Sequence, residues 1–311
     1  MAKYIAKRIL LSLVTLFVIL FILFMLLQFM PGSPFNDEKL TAAQQAVLMA
    51  KYGLDKPFFE RFWIYLQNVV LRGDFGISYA IKKDMLVSGI VMSRLGTSVR
   101  IGLQALLLGT SLGVVFGVIS GAKRNTWMDS MATVAAVIGV SIPSYVLALV
   151  LSFVLGYKFR IFDITYKVDQ PLWSSILPTI ALSFFVMAQT TRFLRTELIE
   201  VLGSDYIKLV DAKGVKRLRV ILRHGLRNAL ISVVTILGPL TVNLMTGSLV
   251  VERVYGIPGI GSLLVEGIQV NDYNIIVMIA FVYSALYIFV NLIVDILYGV
   301  IDPRIRVAKG G

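Results

Sequence analysis

The chain has 311 residues, of which 57% are apolar and only 15% charged, with a mean hydropathy of +0.82. Soluble domains sit at roughly 45–50% apolar and about 25% charged, so a single soluble globule is excluded and the composition is that of an integral membrane protein. The net charge of +12 admits nucleic acid, anionic lipid or charge asymmetry across a membrane, while the lack of cysteine rules out disulfide scaffolds, thiolate metal sites and cysteine nucleophiles.

Six stretches free of charge occupy residues 9–30, 101–122, 130–157, 170–191, 228–251 and 273–294. At about 1.5 Å per helical residue, each covers a hydrocarbon core roughly 30 Å thick, which predicts an all-α fold of six transmembrane helices. The first follows Lys3, Lys7 and Arg8 like the start of a signal peptide. Its apolar run exceeds the roughly 7–15 residues of a signal core, and Met30-Pro31-Gly32-Ser33-Pro34 takes the place of a small-residue cleavage site, so a retained helix is expected.

Residues 31–98 are expected to form a helical cap on the outer side. Thr41 begins one helical pattern that ends at Gly53, and Pro57 opens a second over 58–71 that puts Phe58, Phe62, Tyr65, Leu66 and Val69 on one face. Those aromatics suit first a cap lying on the membrane surface, and second a docking surface for an external partner. Residues 99–311 are expected to form a five-helix core. Its prolines, Pro143, Pro171, Pro178 and Pro239, interrupt the helical ladder, either as ordinary membrane-helix irregularity or as bends around a central pathway.

Six spans put both termini on one side. With both in the cytoplasm, the inner segments carry 17 Lys/Arg and the outer ones 13, nine of which lie in the long first outer loop that counts little. The inner segments then hold a net charge of +11 and the outer ones +2, with Asp295 at the edge of the sixth span contributing −1. The charge excess is therefore an orientation signal, and nucleic acid is not an expected partner.

The inner loop 192–227 carries nine basic and four acidic residues. Gly203 is placed to end the continuation of the fourth span, Ser204 or Asp205 to cap a new helix, and Gly214 to stop it in a left-handed conformation. The result is a short helix over 205–213 with Tyr206, Leu209, Val210 and Lys213 on one face. So short a helix is marginal in water and needs a partner, either anionic lipid or a groove on another protein. The lone histidine, His224, is expected to pack at the end of this loop. Glu252 and Arg253 beyond the fifth span suit an outer gate or simple hydration, and the run Gly256-Ile257-Pro258-Gly259-Ile260-Gly261 suits a turn. No Gly-x-x-x-x-Gly-Lys-Ser/Thr phosphate loop occurs. The spans also lack the buried ionisable groups on which ion-coupled transporters rely.

The run Asp205-Tyr206-Ile207 … Asp211-Ala212-Lys213-Gly214 … Arg223-His224-Gly225-Leu226-Arg227-Asn228-Ala229 resembles the EAA signature of ABC importer permeases. The variant is similar to that of the dipeptide/oligopeptide/nickel family, in its B-type membrane subunit. Tyr52-Gly53-Leu54-Asp55-Lys56-Pro57, Gly73-Asp74-Phe75-Gly76-Ile77-Ser78, Val251-Glu252 … Pro258-Gly259-Ile260-Gly261, Asn291-Leu292-Ile293-Val294-Asp295 and Asp302-Pro303-Arg304 resemble further family motifs in the family's order, as does Pro31-Gly32-Ser33-Pro34 after the first helix. The sequence departs from the pattern at Asp211, where a basic or small residue is common, and at Gly225, where alanine is common.

The resemblance implies a type I ABC importer permease fold in a prokaryotic cytoplasmic membrane, with no catalytic residues and no cofactor in this chain. It implies that Ser204, Asp205, Tyr206, Leu209, Val210, Asp211, Ala212, Lys213 and Gly214 form a coupling helix docked on a cytoplasmic ATPase. Arg223 and Arg227 would support the same loop by binding the ATPase or lipid headgroups. Expected partners are a homologous second permease, two ATPases carrying ATP and Mg, an extracytoplasmic substrate-binding protein and the lipid bilayer. Peptides are the family's majority substrate, and nickel-chelate and glutathione importers share these motifs. A self-sufficient secondary transporter or channel is the rival in another class, and the uncharged spans disfavour an intramembrane enzyme.

Overall fold

The computed structural model describes residues 2–31, 34–35 and 41–301. Gly32 and Ser33 of the proline-glycine stretch, and the ending Asp302-Pro303-Arg304, lie outside the described residues. Among the described residues fourteen α-helices follow one another: α1 Ala2–Gln28, α2 Ala42–Lys51, α3 Phe58–Arg72, α4 Val87–Ala122, α5 Trp127–Ser141, α6 Ser144–Leu151, α7 Pro171–Ser174, α8 Ile176–Gly203, α9 Asp205–Ala212, α10 Arg217–Arg219, α11 Leu226–Met245, α12 Leu249–Tyr255, α13 Ile260–Gln269 and α14 Tyr273–Ile301. Within the described residues five stretches are long and apolar enough to cross a membrane, and α5 with α6 makes a sixth if that bent pair is one span. The chain divides into two compact units, residues 1–97 with 258–288, and residues 98–257 with 289–311.

In the first unit the helices of the outer segment start and stop where local chemistry dictates. Thr41 and Gln44 form a reciprocal capping box at the head of α2, and Gly73 closes α3 in the left-handed region at φ +63°. The aromatic face predicted for α3 packs against α1. Phe62 meets Phe17, Phe21 and Phe24 at centroid distances of 5.8, 5.2 and 5.6 Å, and Phe24 lies 5.3 Å from Tyr65. Beside this face Phe59 and Trp63 are left exposed.

The motif Gly73-Asp74-Phe75-Gly76-Ile77-Ser78 is held by the turn before α14. Asp272 is fully buried, and its carboxylate accepts the Ser78 hydroxyl at 2.5 Å and the backbone N–H groups of Tyr79, Ala80 and Ile81 at 3.1–3.2 Å. Asn274 donates to the Ile77 carbonyl at 2.9 Å, and its side chain fills the space a Cβ on Gly76 would need. Gly76 is thereby required twice over, because its φ of +83° already favours glycine. A cluster of Val87, Ile90, Val91, Ile260, Leu263, Ile275, Met278 and Ile279 forms the core of this unit.

In the second unit α8 is the central helix, buried along Leu177, Ala181, Val186, Ala188, Leu194 and Leu198. It lies against a row of glycines on α4 at four-residue spacing. A Cβ on Gly109 would come within 2.6 Å of the Ser183 carbonyl, one on Gly113 within 2.5 Å of Thr190 Cβ, one on Gly117 within 2.9 Å of Leu194 Cβ, and one on Gly121 within 3.1 Å of Leu198 Cβ. These contacts are the small-xxx-small approach by which membrane helices bring their backbones together.

Three of the predicted spans differ from the structure. The second was expected from residue 101, but α4 begins at Val87, and its 36 residues reach about 54 Å, well beyond the core of a bilayer. Counting uncharged residues missed the first turns because Arg94 and Arg100 interrupt the run. The third was read as one helix with a proline kink. Instead α5 and α6 meet at 100°, with Ile142 extended ahead of Pro143, as the clash of a proline ring with the preceding residue requires; α6 then runs on as a π-helical turn, Ser152–Lys158. The fifth was expected to reach Val251, but α11 ends at Met245. Gly247 turns the chain at φ +83°, and the Glu252 carboxylate occupies the space of its missing side chain. Glu252 is buried and accepts the Ser98 hydroxyl at 2.6 Å, whereas Arg253 is exposed.

Candidate functional site

The inner loop folds as the short helix its glycines outline. α8 runs through Gly203, α9 covers Asp205–Ala212, and Gly214 ends it at φ +73°. Ser204 occupies the N-cap position with extended backbone, but its hydroxyl donates back to the Val201 carbonyl at 2.6 Å and caps nothing. Asp205 pairs with Lys208 at 2.8 Å, a fully exposed bridge of little energetic weight. The capping expected of Ser204 or Asp205 is therefore not made by either side chain. A serine hydroxyl is as able to bond the preceding turn as the following one.

What anchors α9 is Ile207, which is fully buried and was not singled out in the sequence. It lies on α9, which packs against both α8 and the π-helical turn Val220–Gly225; Leu194, Leu198, Ile221, Ala229 and Val233 form a cluster that joins α8, that turn and α11. Gly225 fits this packing closely, since a Cβ there would lie 3.0 Å from Leu198 Cδ1 and 3.2 Å from Leu202 Cδ2. The departure from alanine at this position thus lets the turn sit tightly on α8.

Of the predicted face, Leu209 is 59% exposed, Lys213 is exposed and Val210 half-buried. Tyr206 is partly exposed, but its hydroxyl accepts from Asn228 Nδ2 at 2.6 Å and donates to the His224 carbonyl at 3.2 Å. It fastens α9 to the root of α11, and in that respect is a structural tie more than a free contact residue. Asp211 accepts from Arg217 at 3.2 Å, so the second departure from the family pattern is met by an ion pair within the loop. Ala212 and Gly214 are exposed at the end of α9, and Arg223 and Arg227 are exposed near the start of α11. With Leu209, Leu218 and Leu222 also exposed, the loop presents leucines set among basic side chains.

A second constellation braces the helix that carries this loop. Asp129, in the first turn of α5, is buried, and Arg195 of α8 donates to it twice, from Nε at 2.6 Å and from a terminal nitrogen at 2.9 Å. The Asn125 N–H at 2.9 Å and the Ser120 hydroxyl complete its shell. Asn125 sits at φ +62°, so the tight turn between α4 and α5 is shaped around the carboxylate. Sequence reading counted Asp129 and Arg195 only as loop charges; the fork geometry of a buried Arg–carboxylate pair has no signature in spacing.

The arrangement is a helix seated by Ile207 and Tyr206 with an exposed outer face. The sequence matches the family described as "Binding-protein-dependent transport system inner membrane component" over residues 113–307, and the corresponding N-terminal family over residues 1–101. It is 40% identical over 306 residues to the dipeptide transport system permease protein DppB of Lactococcus lactis subsp. cremoris, covering 98% of this chain and all of that protein. It is 39% identical over 313 residues to the oligopeptide transport system permease protein OppB of Escherichia coli K12, with the same coverage. Among solved structures, the MetNI methionine ABC transporter in an inward-facing form is similar at a TM-score of 0.56 and 16% identity, covering 69% of this chain and 97% of that one. The fold is accordingly that of a type I ABC importer permease.

Proposed function

This chain belongs to the inner membrane components of binding-protein-dependent transport systems, and on that premise we propose that it is the permease subunit of an ATP-driven importer that passes dipeptides or oligopeptides across a prokaryotic cytoplasmic membrane. The observation that carries this reading is the full-length identity to dipeptide and oligopeptide permease proteins. The substrate crosses unchanged, so the work of this chain is to change shape. It lines the pathway together with a homologous second permease and receives peptide from an extracytoplasmic binding protein.

α9 is the point at which a cytoplasmic ATPase pushes. Its seating supports this reading: the Tyr206 hydroxyl ties it to Asn228 of α11 and Ile207 is fully buried, while Leu209 and Lys213 are exposed. Each of two ATPases holds the ATP and Mg, and one of them seats the leucine–lysine face of α9 with Arg223 and Arg227 nearby. Both termini then lie in the cytoplasm, and the segment 31–98 faces outside.

The test is uptake of labelled dialanine into vesicles holding the assembled complex. Leu209→Asp combined with Lys213→Glu is expected to lower ATP-dependent uptake by at least about tenfold, the scale of a lost interface anchor, with the chain still inserted. Tyr206→Phe separates the tie from the contact, because it removes the hydroxyl bonds and leaves the ring. Normal uptake in the double variant would sink the coupling role, and uptake driven by an ion gradient through this chain alone would sink the importer reading.

A further inference from the structure

The first unit contains a cavity of about 420 Å³ between α1, the end of α2, α3 and the start of α14, within the roughly 300–1,000 Å³ usual for small-molecule sites. Its wall is aromatic, with Tyr52, Tyr65, Tyr79 and Tyr273, and it has a cationic and an anionic group, Arg61 and Asp74. Lys51 and Lys56 also border it, but each is engaged by an acid, Asp84 and Glu60 respectively. Arg61 has no carboxylate partner among the described residues and donates only to the neutral Gln28 at 3.2 Å. Its charge reaches Tyr79, whose hydroxyl burial pushes up to about 12 while Asn274 and Arg61 pull the other way.

Asp74 spends one carboxylate oxygen on the Gly76 N–H at 2.8 Å. Close enough to feel its charge is Tyr65, 9% exposed, whose buried hydroxyl has no hydrogen-bond partner. An orphaned hydroxyl in a preformed wall is costly to keep. Here it stands beside a cavity whose two charged groups outside ion pairs, Arg61 and Asp74, are of opposite sign.

We propose that this cavity binds a small zwitterion of the amino-acid class, a free amino acid or a dipeptide, with its carboxylate on Arg61, its ammonium on Asp74 and a polar atom on the Tyr65 hydroxyl. The choice of peptide as a probe rests on the proposed function; the two-ended chemistry of the wall does not. The site lies outside α9 and the α4–α8 core and needs no ATP to fill.

Binding to the full-length chain in lipid nanodiscs, measured by calorimetry without ATP, tests this. Alanine or dialanine is expected to bind saturably, and the better of the two identifies the natural length. Acetylating the amino end of that probe, or amidating its carboxylate, is expected to weaken binding at least about tenfold, as are Arg61→Gln and Asp74→Asn. Tyr65→Phe keeps the wall and removes only the orphaned hydroxyl, so it is expected to leave the free chain as stable or more so while binding weakens. No saturable binding of either probe to a chain with an intact unfolding transition overturns the proposal. So does binding of inorganic phosphate as tight as that of the zwitterion, or unchanged binding in Arg61→Gln. Because the readout is occupancy and not uptake, failure here leaves the importer reading standing, and failure of uptake leaves this site standing.

Discussion

At Asp272 one carboxylate serves a hydroxyl and three backbone N–H groups of residues 78–81. Asp272→Ala orphans all four donors at once and is expected to cost about 3 kcal/mol or more, seen as a lowered unfolding temperature of the purified chain. Asp272→Asn keeps the shape with one acceptor oxygen and is expected to fall between. At Asp129 the balance is different, because the acid is buried while its partner Arg195 is 29% exposed. Arg195→Ala leaves a buried charge uncompensated, at a cost of about 3 kcal/mol. Adding Asp129→Asn to that variant removes the stranded charge, so the double variant is expected to be more stable than Arg195→Ala alone. A double variant less stable by the sum of the two single losses would show that the pair does not act as a unit.

Among the elements, the α4–α8 contact leaves least room for change. Gly113→Leu puts a side chain where Thr190 Cβ and the Met187 carbonyl already stand at 2.5 and 2.8 Å from the missing Cβ. It is expected to cost about 1–3 kcal/mol through overpacking, whereas Gly203→Ala, with nothing within 4 Å, is expected to be close to neutral. Thermal unfolding of the two variants side by side checks both. What the sequence disclosed at this scale was local. The start of α2 at Thr41, the opening of α3 after Pro57 and the glycine-bounded α9 each depend on residues within a turn of the boundary. What it hid was distant: the partners of Asp272 lie up to 194 positions away, and Arg195 lies 66 from Asp129. Pro143 announced a bend but not one of 100°, and the hydrophobicity of residues 246–251 concealed the turn at Gly247, since apolar residues serve a short buried helix such as α12 as readily as a span. Ile207 was passed over because an isolated isoleucine among charges looks like any other; only the convergence of three segments makes it an anchor. The glycines of α4 at spacing four were legible in principle, as small-xxx-small.

For the molecule as a whole, the charge asymmetry predicts which side faces the cytoplasm. The chain has no cysteine, so single cysteines can report sidedness without background. Lys83→Cys and Lys208→Cys, both at exposed positions, are expected to react with an impermeant maleimide from opposite faces of the membrane, the first from outside intact cells and the second only in inverted vesicles. Labelling of both from the same face would overturn the topology and with it the placement of α9 toward an ATPase. The family assignment rests on the full length of the chain and would survive that result.

A row of glycines leaves α4 and α8 geared together. Sliding one along the other by less than a full four-residue step, about 6 Å, would drive α8 into the larger side chains between the glycines. The two therefore behave as one stiff strut, with compliance displaced to points where the helical ladder is already interrupted: the 100° corner at Pro143, the turn at Gly247 and the π-helical turn Val220–Gly225. Spin labels on α4 and α8 are expected to keep a constant separation with and without nucleotide, while a pair spanning Pro143 changes. If α9 is the coupling helix proposed above, strain entering there is expected to travel along the strut and to appear as rotation at these joints.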